Sequence, residues 1–325
     1  MNLRTLLIFM TLGFMLNSCG ENAPQEQPLN KDSAINSSAI SLIVLGTVQD
    51  AGSPHMGCRK ICCRDLFNNP DPSRRVVSLG LIDNEAKKTW LFEATPDIVP
   101  QCKALKRAAS FSDKETPDGI FLTHAHIGHY AGLMYLGREA LGAAEVPVYA
   151  MPRLKSFLES NGPWDQLVAL DNISLQAIKA DSVAHLGPSL KVTPFLVPHR
   201  DEYSETVGYT IEGESKKALF IPDIDKWEKW DRDIIEEIAK VDYAFLDATF
   251  YDGQELNNRD ISEIPHPFII ESMELFRDLP PNEKAKVHFI HLNHTNPGLD
   301  FESEQSKAVL DAGFRLARIG QRVRL

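Results

Sequence analysis

Apolar positions fall along this chain in short blocks whose periods differ. Residues Ile40–Gly46 form a β-rich apolar run closed by glycine. Residues 76–83 and 89–92 read as a strand pair around a turn-like 84–88. A loop rich in Gly, Pro, His and Cys, residues 50–71, separates them from the first strand. Thr95-Pro96-Asp97 predicts a helix start, with Thr95 as cap and Pro96 at the first helical position, where a missing N–H costs nothing. Residues 119–123 form a short apolar strand, and 130–141 continue with helical periodicity. In the second half, strands are predicted at 191–197, 207–211, 218–221, 243–246 and 287–292, with helices at 226–240, 268–279 and 302–312. Strand-rich blocks thus alternate with helices in both halves, predicting a layered α/β domain with helices outside paired sheets. Residues 153–173 and 250–267 read as loops that would set specificity.

The first residues have a different pattern. Residues 1–4 give a short positive start and 6–16 an apolar run. That run is shorter than the roughly 20 residues of a membrane-spanning helix, so it reads as a secretory signal. It ends in Leu16-Asn17-Ser18-Cys19, which resembles the lipobox of bacterial lipoproteins, where the cysteine becomes the lipidated first residue. Residues 20–38 are polar and rich in Asn, Ser, Gln and Pro, the composition of a flexible tether. The expected organisation is a signal peptide at 1–18, a tether at 19–39 and a folded domain at 40–325. The mature protein is expected in the cell envelope, held by Cys19 at the periplasmic or extracellular face of a membrane.

Composition narrows the function. The 325 residues carry a net charge of −11, and Lys216-Lys217 and Arg74-Arg75 are too short to form a basic patch, so nucleic acid is not an expected partner. No Gly-rich phosphate loop or dinucleotide fingerprint occurs. Apolar residues make up 43% and charged residues 24%, a globular composition that excludes disorder as the main state.

The chemistry concentrates in Thr123-His124-Ala125-His126-Ile127-Gly128-His129, three histidines within six residues directly after an apolar strand. In an extended strand end, His124 and His126 point to one side, and the turn after them can bring His129 to a second position nearby. Imidazole is the commonest metal ligand, and such crowding has no explanation as core packing. The cluster therefore predicts a metal site.

The turn resembles the His-x-His-x-Asp-His hallmark of the metallo-beta-lactamase superfamily, and the resemblance continues down the chain. Leu91-Phe92-Glu93-Ala94 matches the strand end with an acidic residue beneath the metal loop. Pro198-His199 with Gly208-Tyr209, Ile221-Pro222-Asp223 and His291-Leu292-Asn293-His294 match the later histidine and aspartate motifs. The resemblance implies a four-layer αβ/βα sandwich with metals at one edge of two facing sheets. It implies a first position of His124, His126, His199 and Asp223, and a second of His129, Asp223 and His291. Asp223, the bridging aspartate, and His291 are the expected catalytic residues.

Residues 45–50 leading to His55, Cys58, Cys62 and Cys63, together with residues 291–297, look like the branch containing pyrroloquinoline-quinone biosynthesis protein B and related cyclic phosphodiesterases. In that branch a cysteine-rich loop and a late histidine hold a structural zinc. Here the implied ligands are Cys58, Cys62, Cys63 and His294, although the C-x3-C-C spacing departs from the branch's C-x-C-x2-C. A disulfide of Cys58 with Cys62, Cys63 or Cys102 is the alternative in an oxidising compartment. Otherwise Cys102 reads as a buried thiol. The other departure is Gly128, which stands where the family's turn carries a metal-binding aspartate. The second position is then one ligand short, unless Asp201 or Asp225 fills the gap, and glycine there would also suit a positive φ.

Among the remaining histidines, His185 reads as solvated, His266 between two prolines as a surface turn, His288 as structural, and His55 as an alternative to a thiolate. The expected activity is metal-dependent hydrolysis of a phosphodiester or other ester in a small-molecule substrate, with zinc as metal or manganese or iron at the active position. An iron-dependent oxidation, as in the quinone-cofactor branch, and a non-catalytic metal-binding surface lipoprotein are the competing functions.

Overall fold

Alternation along β1 (Ile40–Gly46) sends Leu42 and Val44 to one face and Ile43 and Leu45 to the other. All seven residues are buried, so this strand needs cover on both sides. The computed structural model describes residues 39–200, 202–256 and 264–325. The expected signal, Cys19 and Asp201 lie outside the described residues, as does the tether except for Ala39.

β1 pairs antiparallel with β2 (Ser78–Asp83), which pairs antiparallel with β3 (Lys88–Phe92). The sheet continues in parallel through β4 (Gly119–Phe121), β5 (Val146–Ala150) and β6 (Ile173–Ala177). A terminal strand, β14 (Arg322–Arg324), closes the far edge against β1 and completes seven strands. The second sheet also has seven strands. They are β7 (Ala184–His185), β8 (Lys191–Leu196), β9 (Val207–Glu212), β10 (Lys217–Ile221), β11 (Tyr243–Asp247), β12 (Val287–Ile290) and β13 (Arg315–Leu316), adjacent in chain order.

Three apolar layers hold the sheets together. Between them lie Leu42, Val44, Phe92, Phe121, Tyr209, Phe220 and Phe245. Ile98, Leu105, Leu154 and Leu158 pack helices onto the outer face of the first sheet, and Ile234, Ile238, Ile269 and Val309 do so for the second. This is the αβ/βα sandwich expected from the sequence. Among the described residues, no helix is long and apolar enough to cross a membrane.

Local differences from the sequence expectations have identifiable causes. The helix expected from Thr95 runs Ile98–Ala108. The Thr95 hydroxyl accepts from Asp97 N at 3.1 Å and makes a turn ahead of the helix. The expected 130–141 helix is a short α-helix, Ile127–Tyr130, then a 3-10 segment, Ala131–Leu136. There Gly132 N donates to Ala94 O at 2.8 Å, and a Cβ on Gly132 would stand 2.1 Å from Thr95 O, so only glycine permits the approach. Likewise 226–240 splits into a 3-10 turn, Trp227–Lys229, and a helix, Ile234–Ala239, because the Asp233 carboxylate caps Ile235 N and starts a new helix. Residues 153–173, expected as a loop, contain most of the helix Pro152–Ser160 and all of Trp164–Ala169, with Leu154, Leu158 and Leu167 buried.

The parallel strands bring chemically active residues to one end of the sandwich. Ile221 pairs with Leu246, and Asp247 with Ile290, so β10, β11 and β12 end side by side. Asp223, Asp247 and His291 emerge together from those carboxyl ends, and His124 leaves the end of β4 opposite them.

Candidate metal centre

Asp223 is the hub. Its Oδ2 lies 3.4 Å from His124 Nε2, 3.8 Å from His126 Nδ1, 3.8 Å from His129 Nε2 and 4.0 Å from His291 Nε2. Its Oδ1 lies 3.2 Å from His199 Nε2 and 3.1 Å from His266 Nδ1. His124, His129, His291 and Asp223 are each at most 3% exposed. All six active-position ligands expected from the sequence therefore converge on one buried point between the sheets.

The surrounding bonds decide which ring atoms face that point. His124 Nδ1 meets Thr123 Oγ1 at 2.8 Å, His199 Nδ1 meets Asp225 Oδ1 at 3.1 Å, and His291 Nδ1 meets Thr249 Oγ1 at 2.9 Å. Each contact leaves Nε2 directed inward and fixes the ring, as the outer partner of a metal-binding imidazole does. Asp225, a candidate to fill the gap at Gly128, instead orients His199.

Glu93 sits beneath the turn, fully buried, accepting from Thr123 Oγ1 at 2.5 Å and lying 3.4 Å from His129 Nδ1. Glu93 and His291 both hold positive φ, 74° and 66°, in residues that disfavour it. Such strain concentrates where a site over-determines its backbone.

A metal suits this donor set. Buried atoms without a hydrogen-bond partner include His124 Nε2, both nitrogens of His129, His199 Nε2, His291 Nε2 and Asp223 Oδ1. Leaving one such atom buried and unsatisfied costs about 1–3 kcal/mol, and five of the six, all but the His129 Nδ1 that faces Glu93, gather at the Asp223 carboxylate and demand a partner. Metal cations, accepting the lone pairs of these atoms, would meet that demand. Within 4.8 Å of one another lie the ligand atoms of His124, His126, His199 and Asp223, and separately those of Asp223, Asp247, His266 and His291.

Asp247 and His266 are residues that the sequence alone did not bring to the site. His266 is no surface turn: its Nδ1 lies 2.9 Å from Asp247 Oδ2, and its side chain is 15% exposed. Asp247 also accepts from Ile224 N at 3.1 Å, Thr249 N at 2.9 Å and Thr249 Oγ1 at 2.7 Å. With its oxygens so engaged, Asp247 is an orienting group for His266, while His129, whose Nε2 makes no hydrogen bond, is the better second-position ligand. A signal for Asp247 existed, because it ends an apolar strand as Asp223 nearly does. His266 had none beyond its flanking prolines.

Charges reflect this layout. Burial works against the His199 cation, but the Asp223 and Asp225 carboxylates outweigh it and raise the group to about 9. Burial likewise opposes ionisation of Asp247, yet the neighbouring His266 and His291 bring it down to about 2.

The second cluster sits in the 50–71 loop. Ligand atoms of Cys58, Cys62, Cys63 and His294 lie within 4.8 Å of one another, with Cys58 and Cys62 sulfurs 3.7 Å apart. All four described cysteines are free thiols, so the disulfide alternative is not what the fold forms. His294 Nδ1 meets Asn293 Oδ1 at 2.9 Å, and burial lowers the ring to about 4, keeping it neutral. His55 stacks on His294 with ring centroids 4.5 Å apart and stands outside the ligand group. Burial pushes Cys62 up to about 12, and the interacting sulfurs add to the rise, a repulsion among thiolates that a divalent cation relieves. Cys102, expected as a buried thiol, is only partly buried, on the helix Ile98–Ala108 outside the first sheet. His288 is buried with Nδ1 2.9 Å from Lys286 O, and His185 is exposed.

Fold and site together define a metallo-beta-lactamase-fold protein with an imidazole–carboxylate centre and a separate thiolate cluster. The Beta-lactamase superfamily domain matches residues 88–289, and the chain belongs to that family. Its relatives include Coenzyme PQQ synthesis protein B of Methylorubrum populi, 26% identical over 310 residues and covering 86% of this chain and 98% of that protein. The protein of that name from Methylococcus capsulatus is 26% identical over 306 residues, covering 85% and 97%. Among solved structures, Zn(2+)-bound PqqB from Methylobacterium extorquens superposes with a TM-score of 0.70 at 22% identity, over 88% of this chain and 100% of that one. A diphosphatase from the PhnP family gives 0.60 at 22% identity, over 87% and 96%.

Proposed function

We propose that this protein is a metal-dependent hydrolase of a phosphodiester or related ester in a small molecule. The observation that carries this reading is the ring of partnerless nitrogens around Asp223, with the His266–Asp247 pair beside it. His124, His126, His199 and Asp223 would hold one metal, and His129, His291 and Asp223 a second. Bound there, zinc or manganese supplies Lewis acidity that lowers the pKa of water and neutralises charge on the ester. The chain's own groups do the rest. Asp247 engages His266 Nδ1, which leaves Nε2 as the nitrogen able to give a proton to a departing oxygen. Glu93 and Thr123 hold the turn below, and Asp225 keeps His199 in register.

Hydrolysis of bis(p-nitrophenyl) phosphate and of cyclic phosphodiesters tests this. Chelator-treated protein should be inactive and should regain turnover with manganese or zinc. If no metal restores turnover of any ester, while iron-loaded protein consumes oxygen, the oxidative reading replaces this one. Similarity to proteins named for coenzyme PQQ synthesis is the observation that keeps that second reading alive.

We further infer that zinc occupies the Cys58/Cys62/Cys63/His294 cluster and serves structure, tying an irregular loop to the C-terminal half. Lipidation of Cys19 would place the enzyme in the cell envelope. Cys19→Ser should shift it from the membrane to the soluble fraction, and an unchanged distribution would sink the anchor.

A further inference from the structure

Gly128 is where the metal turn departs from its family's pattern, and its surroundings explain more than a missing side chain would. Its φ is not in the positive region, so backbone freedom is not the reason for glycine. A Cβ on Gly128 would stand 2.3 Å from Asp50 Cβ, 2.5 Å from Asp50 O and 2.6 Å from Asp50 Cα. Asp50 therefore holds the volume of the absent side chain. Its own side chain springs from nearly the point where one on residue 128 would begin.

The segment carrying Asp50 is pinned beside the second metal position. Val48 bridges both Val76 and Leu292, Leu292 N donates to Thr47 O at 2.8 Å, and Gln49 N donates to Leu292 O at 2.9 Å. Leu292 is the residue directly after His291, so the segment carrying Asp50 is fixed between the histidine turn and His291. Gln49 Nε2 donates to Asp50 Oδ1, which orients the carboxylate. His129 Nε2 and His291 Nε2, which face this position, make no hydrogen bond.

We propose that Asp50 is the carboxylate ligand of the second metal position, delivered from the segment after β1 in place of the side chain that residue 128 lacks. The inference rests on the two-position reading of the centre given under the proposed function. With Asp50 counted, the second position has four donors, Asp50, His129, Asp223 and His291, and matches the first in number. The site is then not degenerate. One ligand has moved from the turn to a neighbouring strand end, and glycine at 128 is the condition that lets it in.

Manganese titration of the chelator-treated full chain, monitored by the electron paramagnetic resonance of free Mn2+, tests this. Manganese is hard and poorly bound by thiolates, so the cysteine cluster does not register. The parent should bind two ions per chain. Asp50→Asn keeps the shape and removes the charge, and should weaken the second ion by at least about tenfold while changing the first by less than about twofold. Asp50→Glu restores a carboxylate and should recover part of the second ion's affinity. Asp50→Asn binding two ions as tightly as the parent would overturn the proposal. So would loss of both ions in Asp50→Asn and Asp50→Glu alike, which would make Asp50 a packing residue. A parent that binds fewer than two ions would instead defeat the two-position reading itself, and this proposal with it.

Discussion

The two clusters are built on opposite principles. The thiolate cluster is assembled by one short loop, Cys58 to Cys63, and receives a single ligand, His294, from afar. Three of its ligands are partly exposed and only Cys63 is buried, and little regular structure supports them: a four-residue helix, Ile61–Arg64, and a 3-10 turn. The imidazole–carboxylate centre draws ligands from the ends of β4, β10 and β12 and from the loop after β8, and nearly all are buried. The first brings its loop to order through the metal. The second exists because two sheets already hold their strand ends in place. A metal bound at the loop should therefore act on stability, and one bound between the sheets on chemistry.

The largest effect should come from breaking the hub. Asp223→Asn removes the charge shared by both positions, so turnover of a phosphodiester should fall by more than about 100-fold. The midpoint of thermal unfolding should move little by comparison, and circular dichroism during heating reads that. If activity survives in this variant, the buried centre is not the reaction site.

Cys62→Ser should show the reverse. Zinc content should drop by about one equivalent and stability by several kcal/mol, a share of the roughly 10 kcal/mol or more that a structural zinc contributes. The variant's remaining folded fraction, assayed well below its unfolding midpoint, should keep its turnover per active centre. Equal loss of both properties would merge the two clusters into one functional unit.

A third change acts on the boundary between them. Gly128→Ala adds a methyl where Asp50 backbone atoms stand 2.5 and 2.6 Å away, and should cost about 1–3 kcal/mol through displacement of that segment. Denaturant unfolding measures this directly. An aspartate introduced at 128 meets the same backbone overlap, so it should destabilise and should not improve metal binding.

The smallest effect concerns a histidine outside both clusters. Burial lowers His288 from 6.5 to about 4, with Arg315 adding to it. Between those values the unfolded chain binds more protons, so the His288 contribution is complete above about pH 6.5 and is lost as pH falls through about 4. The size is on the order of 1–3 kcal/mol. His288→Phe, beside the Phe245 ring, should flatten this part of the stability–pH curve, measured by urea unfolding from pH 7 to 4. An unchanged slope would assign the acid sensitivity to other groups.

How much of this molecule is legible in its sequence depends on the range of each signal. The apolar blocks mark β1, β3 and β8 to β12 to within a residue or two, because each is a buried strand bounded by polar turns. Strands β5, β6 and β14 leave no such mark. Val146–Ala150 contains proline, Ile173–Ala177 comes after a helix pair split by Asn161-Gly162-Pro163, and Arg322–Arg324 is three residues with two charges. The ligands visible in the sequence are those with local company, the histidine turn and the cysteine loop, or those resembling a family motif. Asp247 and His266 lie 19 positions apart, and only the tertiary fold brings them into contact. Asp50 and Gly128 are farther apart still, and no local pattern could show that one occupies the other's space.

X-ray absorption at the edges of the metals bound to freshly purified protein separates sulfur from nitrogen and oxygen neighbours, and so tells the two clusters apart in one measurement. One zinc with sulfur neighbours at about 2.3 Å is expected, and further metal ringed only by nitrogen and oxygen at about 2.0–2.2 Å. Metal found solely in sulfur-rich surroundings, with none in a nitrogen and oxygen shell even after loading with manganese or zinc, would contradict it.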